Sequence, residues 1–194
     1  MYVPPPFAAV DERDSAQVIE ENPFAILFSG DAATHLPLIC RDNRLFGHFA
    51  KANPQAHFAD GDAALAVFSG PHAYVSPTWF ETDQAVPTWN YVAVHVRGRF
   101  RRCPDATIEH LDELTRRFER GETGWSPSAL PASTASQLRR HLVAFTVEID
   151  SVEGKWKLSQ NHPIERRERI ISALEESPDA LDRDVAAAMR RTLE

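Results

Sequence analysis

A strict alternation of apolar and polar residues between Tyr91 and Phe100 constrains the fold more than any other feature of the chain. Val92, Val94 and Val96 occupy every second position, with polar or charged residues at most of the positions between and after them. A period of two places these apolar side chains on one face of a β-strand, where they can pack on a core. The segment therefore predicts a strand with one buried face.

Five further segments carry the short apolar or alternating runs that are typical of strands. They are residues 24–28, 34–39, 44–48, 64–69 and 142–150. Arg41-Asp42-Asn43 predicts a turn between two of them, and Gly70-Pro71 predicts a break after residue 69. The first two thirds of the chain are thus expected to be rich in β-structure.

Helices are expected mainly in the last third of the chain. Apolar residues at helical spacing predict one helix from Pro104 to Gly121, and two more follow from Pro163 and from Ser177-Pro178. Asn53-Pro54 predicts another helix start. About six strands with helices outside them favour a small barrel or sandwich, because closing a sheet removes its exposed edges. At 194 residues, we expect one domain over 1–194, with C-terminal helices at about 163–194.

The charge balance restricts the partners of the chain. The formal net charge is −7, which argues against non-specific nucleic-acid binding because that mode needs a dense positive surface. Only three of the 21 basic residues are lysines, namely Lys51, Lys155 and Lys157. A lysine supplies a compact point charge where arginine supplies a planar fork, so these positions are candidates for holding a small anion.

Cys40 and Cys103 stand far apart without a CxxC, which predicts neither a zinc site nor a disulfide framework. We find no secretory signal and no apolar run of the roughly 18–20 residues that a membrane helix needs. The expectation is a cytoplasmic protein without a membrane partner. The chain has no GxSxG, Walker loop, GxGxxG, HxH or HExxH, so neither a catalytic residue nor a metal site is predicted.

Four stretches concentrate polar, aromatic and imidazole residues: 47–54, 68–80, 86–95 and 153–161. Tryptophan and tyrosine in such stretches offer flat apolar faces with one polar group. Packing at the ends of a barrel would explain any one of these aromatic residues taken alone. Together they favour a site for a planar, apolar ligand with polar edges and a phosphate.

These stretches, with Met1-Tyr2 and Thr34-His35-Leu36-Pro37, resemble the PaiB family of FMN-binding negative transcriptional regulators. The resemblance extends from Met1 into the helix after Asn161. It implies a mainly β (α+β) fold, a split β-barrel of the FMN-binding type with peripheral and C-terminal helices. It also implies a homodimer with FMN at the interface.

FMN needs cations, hydroxyls or helix amides at its phosphate, and apolar walls and hydrogen bonds at its ring. The resemblance implies nine cofactor-binding residues: Thr34, His35, His48, Lys51, Asn53, Trp89, Asn90, Lys157 and Gln160. Lys51 and Asn53, at the start of a helix, are expected at the phosphate, with His48 and Thr34 as further donors. His35 belongs to the segment Thr34-His35-Leu36-Pro37, whose polar groups and proline are typical of an edge strand beside a ligand, although a bulge would explain them too. Trp89 and Asn90, supplied by the partner subunit, are expected to wall the ring and contact its edge. Lys157 is expected to supply a charge near the flavin, and Gln160 a contact at the ring edge.

Three functions remain open. The first is an FMN-binding protein, with or without flavin-dependent oxidoreductase activity. The second is a negative transcriptional regulator, acting directly or through flavin-linked redox chemistry. Direct DNA contact is uncertain because residues 163–176 and 178–194 each carry three arginines against four carboxylates, a balance unusual for a recognition helix. The third is a split barrel that binds haem or another ligand, given His48, His72 and His95.

Overall fold

A computed structural model of the chain describes residues 1–9, 11–80, 86–103, 107–119 and 125–193. Within these residues, seven strands form one sheet in the order β2-β1-β5-β6-β7-β4-β3. In chain order, the strands are β1 (Phe24–Ser29), β2 (Ala32–Pro37), β3 (Ile39–Arg41), β4 (Arg44–Ala50), β5 (Ala63–Val75), β6 (Thr88–Arg102) and β7 (Leu142–Lys157).

Within the described residues there are also five α-helices. They are α1 (Glu12–Glu21), α2 (Thr107–Phe118), α3 (Ala132–His141), α4 (Ile164–Glu175) and α5 (Ala180–Arg191). The predicted helices after residues 104, 163 and 178 correspond to α2, α4 and α5, although Pro104 and Gly121 themselves lie outside the described residues. Neither α1 nor α3 was predicted, because each carries few apolar residues at helical spacing.

The alternation that starts at Tyr91 is confirmed as one face of β6, the central strand of the sheet. Val92, Val94, Val96 and Phe100 are all buried. Both edges of β6 are hydrogen-bonded, one to β5 and the other to β7. The strand therefore has a fixed register and a fixed buried face.

The turn predicted at Arg41-Asp42-Asn43 joins β3 to β4, which pair in antiparallel register from Ile39↔Phe46 to Arg41↔Arg44. Asp42 and Asn43 both adopt the left-handed conformation, with φ of 49° and 58°. Two successive left-handed residues match the twist of a two-residue hairpin, and aspartate and asparagine tolerate that conformation well.

The break predicted at Gly70-Pro71 is wrong, because β5 continues through both residues to Val75. The antiparallel pairing of β1 with β5 runs from Leu65 to Val67. Pro71 lies beyond the last residue of β5 that pairs with β1. No backbone N–H is needed at this position for a hydrogen bond to β1, so a proline is tolerated there. Gly70 also fits closely against Val92, since a Cβ on the glycine would lie 3.1 Å from the valine Cβ.

The chain divides into two compact units. The internal unit comprises Pro23–Val67 and Val96–Val152. Its core contains four phenylalanines from β4, β6, β7 and the segment after β4. Phe49 stacks on Phe145 with ring centroids 4.5 Å apart, and Phe58 stacks on Phe100 at 4.4 Å. Stacked aromatic pairs combine large burial with a defined geometry.

The terminal unit comprises Met1–Asn22, Phe68–His95 and Glu153–Glu194. Here α4 packs against α5, and their facing residues Ile170, Ile171, Leu174, Val185 and Met189 are fully buried. On α5, Val185 and Met189 lie four residues apart on the buried face, whereas Leu181 is exposed. The predicted single domain over 1–194, with its C-terminal helices, stays a prediction.

Gly98 gives a test of the sheet packing. A Cβ at this position would lie 2.1 Å from the carbonyl oxygen of Glu148, far inside contact distance. We expect Gly98→Ala to lower the free energy of unfolding by about 2–3 kcal/mol, measured by urea denaturation. Ser69→Ala, on the exposed side of β5, should leave the midpoint unchanged. Equal midpoints for the two variants would contradict the close approach at Gly98.

Candidate functional site

Thr34 and Asn53 lie within hydrogen-bond distance of each other in the internal unit. Asn53 Nδ2 donates to Thr34 Oγ1 at 2.9 Å, and Thr34 Oγ1 donates to Oε1 of Gln55. Gln55 is only 5% exposed. Its Nε2 donates to Ser29 Oγ at 2.9 Å and to one backbone carbonyl each of β1 and β2. Sequence reasoning missed Gln55, because a single buried amide leaves no pattern in a sequence.

The helix predicted to start at Asn53-Pro54 does begin there, but as a short 3-10 turn. Pro54–His57 forms a single turn of 3-10 helix, and Asn53 Oδ1 already accepts the backbone N–H of Gln55 at 2.9 Å. So short a turn has too few aligned peptides to concentrate positive potential at its start. Any affinity of this segment for an anion must therefore come from its side chains.

Lys51 and His35 are both exposed in the internal unit. The backbone N–H of Lys51 donates to the His141 carbonyl at 2.7 Å. Its ammonium has no hydrogen-bond or ion-pair partner among the residues that the structure describes. His35 lies on β2, which is the edge strand predicted for the Thr34–Pro37 segment. Within the described residues, the internal unit thus offers at these positions an ammonium without a partner and an exposed imidazole.

His48 on β4 faces His110 on α2, with ring centroids 5.4 Å apart in an edge-to-face arrangement. His110 is 3% exposed, and neither of its ring nitrogens has a hydrogen-bond partner within the described part of the chain. The Nδ1 atom of His48 is likewise buried and unpartnered there. His110 was not singled out from the sequence, since a lone histidine on a helix has no diagnostic spacing.

Burial keeps both imidazoles neutral near pH 7. It lowers the pKa of His48, and it lowers the pKa of His110 to about 4 with further contributions from the positive charges of His48 and Arg41. The Arg41 guanidinium lies 3.1 Å from the Glu113 carboxylate and 3.5 Å from that of Glu109. The pair is therefore a desolvated, uncharged element beside an ion-paired arginine.

In the terminal unit, Lys157 joins the end of β7 to the start of β6. Its Nζ donates to Thr88 Oγ1 and to the Trp89 carbonyl, each at 2.5 Å. Burial, followed by the nearby charge of Lys155, lowers the pKa of Lys157. Lys155 is itself buried and donates to the Tyr2 carbonyl at 3.1 Å. Of these two lysines, Lys155 serves the packing of the N-terminus.

The other predicted ring contacts differ in accessibility. Asn90 is 1% exposed, donates to Met189 Sδ at 3.3 Å and accepts from Ser159 Oγ at 3.1 Å. Gln160 accepts from the Leu158 N–H and donates to the Trp156 carbonyl, so both ends of its amide hold the turn after β7. Trp89, by contrast, is 53% exposed.

A cavity of about 360 Å³ opens within the terminal unit. Asn90 and Lys157 line it, whereas Gln160 lines a separate cavity of about 500 Å³ with Trp156. Sequence reasoning missed Arg166 and His162, which also line the first cavity. The signal that could have found them is their position just after the polar stretch 153–161, at the start of a predicted helix.

No three histidine, cysteine, aspartate or glutamate side chains within the described residues are grouped to hold a metal ion. Among the described helices, none combines the length and the apolar character that a bilayer span requires.

The His110 environment predicts how stability depends on pH. Since the pKa of His110 is about 4 in the folded chain and near 6.5 when unfolded, the unfolded state binds more protons between these values. The free energy of unfolding should therefore fall as the pH drops from about 6.5 to 4, by up to about 3 kcal/mol, and then level off. Denaturation at several pH values measures this slope.

His110→Leu should remove the larger part of that slope, whereas Ser69→Ala, which changes an exposed group that does not titrate, should leave it unchanged. An unaltered slope in His110→Leu would show that His110 is not the group that titrates.

Residues 1–151 match the family described as "Putative FMN-binding domain". The chain is 32% identical over 195 residues to "Protease synthase and sporulation protein PAI 2" of Bacillus subtilis strain 168, and the match covers 93% of each chain.

Solved structures show the same fold. The FAD and heme binding protein from Mycobacterium smegmatis matches with a TM-score of 0.60 at 21% identity, over 92% of this chain and 78% of that one. Flavocytochrome Anf3 from Azotobacter vinelandii matches with a TM-score of 0.62 at 13% identity, over 77% and 69%. The predicted mainly β split-barrel fold with peripheral helices is thereby confirmed. The chain therefore belongs to the PaiB family of FMN-binding split-barrel proteins, and a flavin is the cofactor of that family's domain.

Proposed function

We propose that the protein binds FMN at the interface of a homodimer and acts through the bound flavin as a negative regulator of transcription. The observation that carries the proposal is the match of residues 1–151 to an FMN-binding domain. That segment contains seven of the nine predicted contact residues. Bound FMN supplies hydride and electron transfer, and the residues of the chain bind and orient it.

Lys51 is the residue that we assign to the FMN phosphate. Its ammonium is exposed and has no partner among the described residues, so meeting a dianion breaks no existing ion pair. The side chains of Thr34 and Asn53 already form a hydrogen bond with each other, and Thr34 forms another with Gln55. They support the assignment by holding the segment around Lys51 in place. His35 and His48 stay the further candidate donors.

Trp89 is the residue that we assign to a wall of the flavin ring. Its exposed indole lies edge-on to Tyr74 at 6.0 Å and 6.4 Å from the His72 ring, which together form an open aromatic surface. A planar ring that stacks there buries apolar area on both sides. In a homodimer, this surface is the part that one subunit supplies to the flavin of the other. Asn90, Lys157 and Gln160 orient the strand ends around it through their internal hydrogen bonds.

Regulation is proposed to be indirect. The name of the Bacillus subtilis relative refers to protease synthesis and sporulation, which supports a regulatory role. On the two C-terminal helices, Arg167 is buried, and Arg190 forms a two-pronged ion pair with Glu175 at 2.6 and 2.7 Å. These two of the six arginines on α4 and α5 are therefore not available for a DNA backbone. We therefore infer that the redox state of the bound flavin, read by another molecule, carries the signal.

Retention of FMN tests the proposal directly. Purified protein mixed with FMN and then desalted should keep flavin absorbance, with quenched fluorescence, and should elute as a dimer in size exclusion with light scattering. Colourless protein would overturn it, and a Soret band would indicate the haem alternative instead. Binding to promoter DNA is measured by electrophoretic mobility shift at a low and a higher salt concentration. A shift at low salt that weakens at higher salt would contradict indirect regulation.

Lys51→Ala tests the phosphate assignment. The variant should bind FMN about tenfold more weakly, because one charge-assisted contact is lost. Its affinity for riboflavin, which has no phosphate, should not change. Fluorescence titration of the dimeric variant measures both affinities, and Arg13→Ala removes an exposed positive charge elsewhere as the control. Unchanged FMN affinity, or equal losses for both flavins, would contradict the role of Lys51.

A further inference from the structure

We propose that the 360 Å³ cavity of the terminal unit is a second binding site, which holds the phosphate or carboxylate group of a small molecule other than FMN. Arg166 and Lys157 are its anion-binding residues. The site goes beyond FMN binding, and only the statement that its ligand is not FMN rests on the assignment of the FMN phosphate to Lys51.

The size of the cavity suits a small metabolite, since ligand pockets commonly measure roughly 300–1,000 Å³. Its lining combines the positive groups of Arg166 and Lys157 with the polar side chains of Thr88, Asn161 and His162. Phe80 supplies an apolar wall. A charged head and an apolar body would both find complementary surface here.

Among the described residues that line the cavity, no carboxylate balances the positive charge. The pKa of His162 is lowered first by burial and then by the positive charges of Arg166 and Lys157. Arg166 and Lys157 thus both lie close enough to His162 to disfavour its charged form, and a bound anion would offset their positive charge.

Arg166 is held in place and still has donors to spare. Its guanidinium lies 5.3 Å from the centre of the Phe80 ring, and Nη1 lies 3.2 Å from His162 Nδ1. His162 in turn contacts the Phe80 ring edge-on at 5.3 Å. A guanidinium carries five N–H donors, so most of them stay available to a ligand. A cation over an aromatic face is pre-oriented, which lowers the entropy lost on binding.

Lys157 is positioned in the same way. Two of the three donors of its ammonium are used by Thr88 Oγ1 and the Trp89 carbonyl. One N–H is left for an anion. The lowered pKa of Lys157 shows the cost of keeping this charge half-buried beside Lys155. Compensation by an anionic ligand explains why a charge is kept there.

A neighbouring cavity of about 480 Å³ supplies an internal control. It is lined by Arg169 of the same helix, but also by Glu165 and Glu168. An arginine set among carboxylates has no excess positive charge to offer. Arg169→Gln therefore removes the same charge from α4 without touching the proposed site.

The test is calorimetric titration of FMN-loaded protein with inorganic phosphate and, separately, with acetate at low ionic strength, where screening is small. We expect saturable binding of at least one anion, which also identifies the class of head group. Arg166→Gln should weaken that binding about tenfold or more, while Arg169→Gln should leave it unchanged. Melting curves and light scattering confirm that each variant is folded and dimeric.

A second pair of variants keeps the test valid if Arg166→Gln does not fold. Val86 lines the cavity and is 73% exposed, so Val86→Glu places a carboxylate at the site with little cost to the core. It should abolish anion binding, whereas Val152→Glu at another exposed position should not.

Three results would overturn the proposal. They are no binding of either anion, equal losses in Arg166→Gln and Arg169→Gln, and a loss of FMN but not riboflavin affinity in Arg166→Gln. The last result would make this cavity the FMN phosphate site and would leave FMN binding itself intact. Protein that binds the anion at Arg166 but never retains FMN would instead reject the proposed function alone.

Discussion

Burial of one face of β6 is the constraint on which the rest of the structure depends. Val92, Val94 and Val96 are at most 3% exposed, and the strand is paired on both edges. Moving β6 by one residue would place these valines in solvent and would turn His95 and Arg97 towards the core. The same register places Thr88 and Trp89 at the start of the strand, where Lys157 holds them. It also places Gly98 where β7 needs a residue without a side chain.

The three lysines of this arginine-rich chain have three different environments. Lys51 is exposed without a partner among the described residues, Lys155 is buried against Tyr2 and Tyr91, and Lys157 is half-buried at a cavity. An ammonium can fill each of these places because it is compact and its three donors rotate freely. The three lysines therefore do not share one role. Lys51 lies on the surface, Lys155 packs against aromatic rings, and Lys157 lines a cavity.

Sequence patterns predicted the strands better than the helices. Apolar alternation identified β6 and most of β7, since burying one face of a strand leaves a period of two. Helix α1 was missed although Asp11 and Asp14 form a capping box at its start, because only Val18 and Ile19 on it are buried apolar residues. The break at Gly70-Pro71 was predicted from local preference, which the pairing of β5 in the sheet overrode.

By itself, the sequence determined the family, the β-rich architecture and the stretches that contain the candidate flavin-binding residues. These depend on residue order and local periodicity, both of which can be read along a chain. Only the tertiary structure decided which polar groups are already satisfied. Asn90, Gln160 and Thr34 are polar residues in motif stretches, yet their hydrogen bonds are spent inside the protein, while Lys51 and Trp89 remain accessible. It also brought Arg166 and His162 to a cavity beside Lys157, since contacts between residues distant in sequence are set by packing.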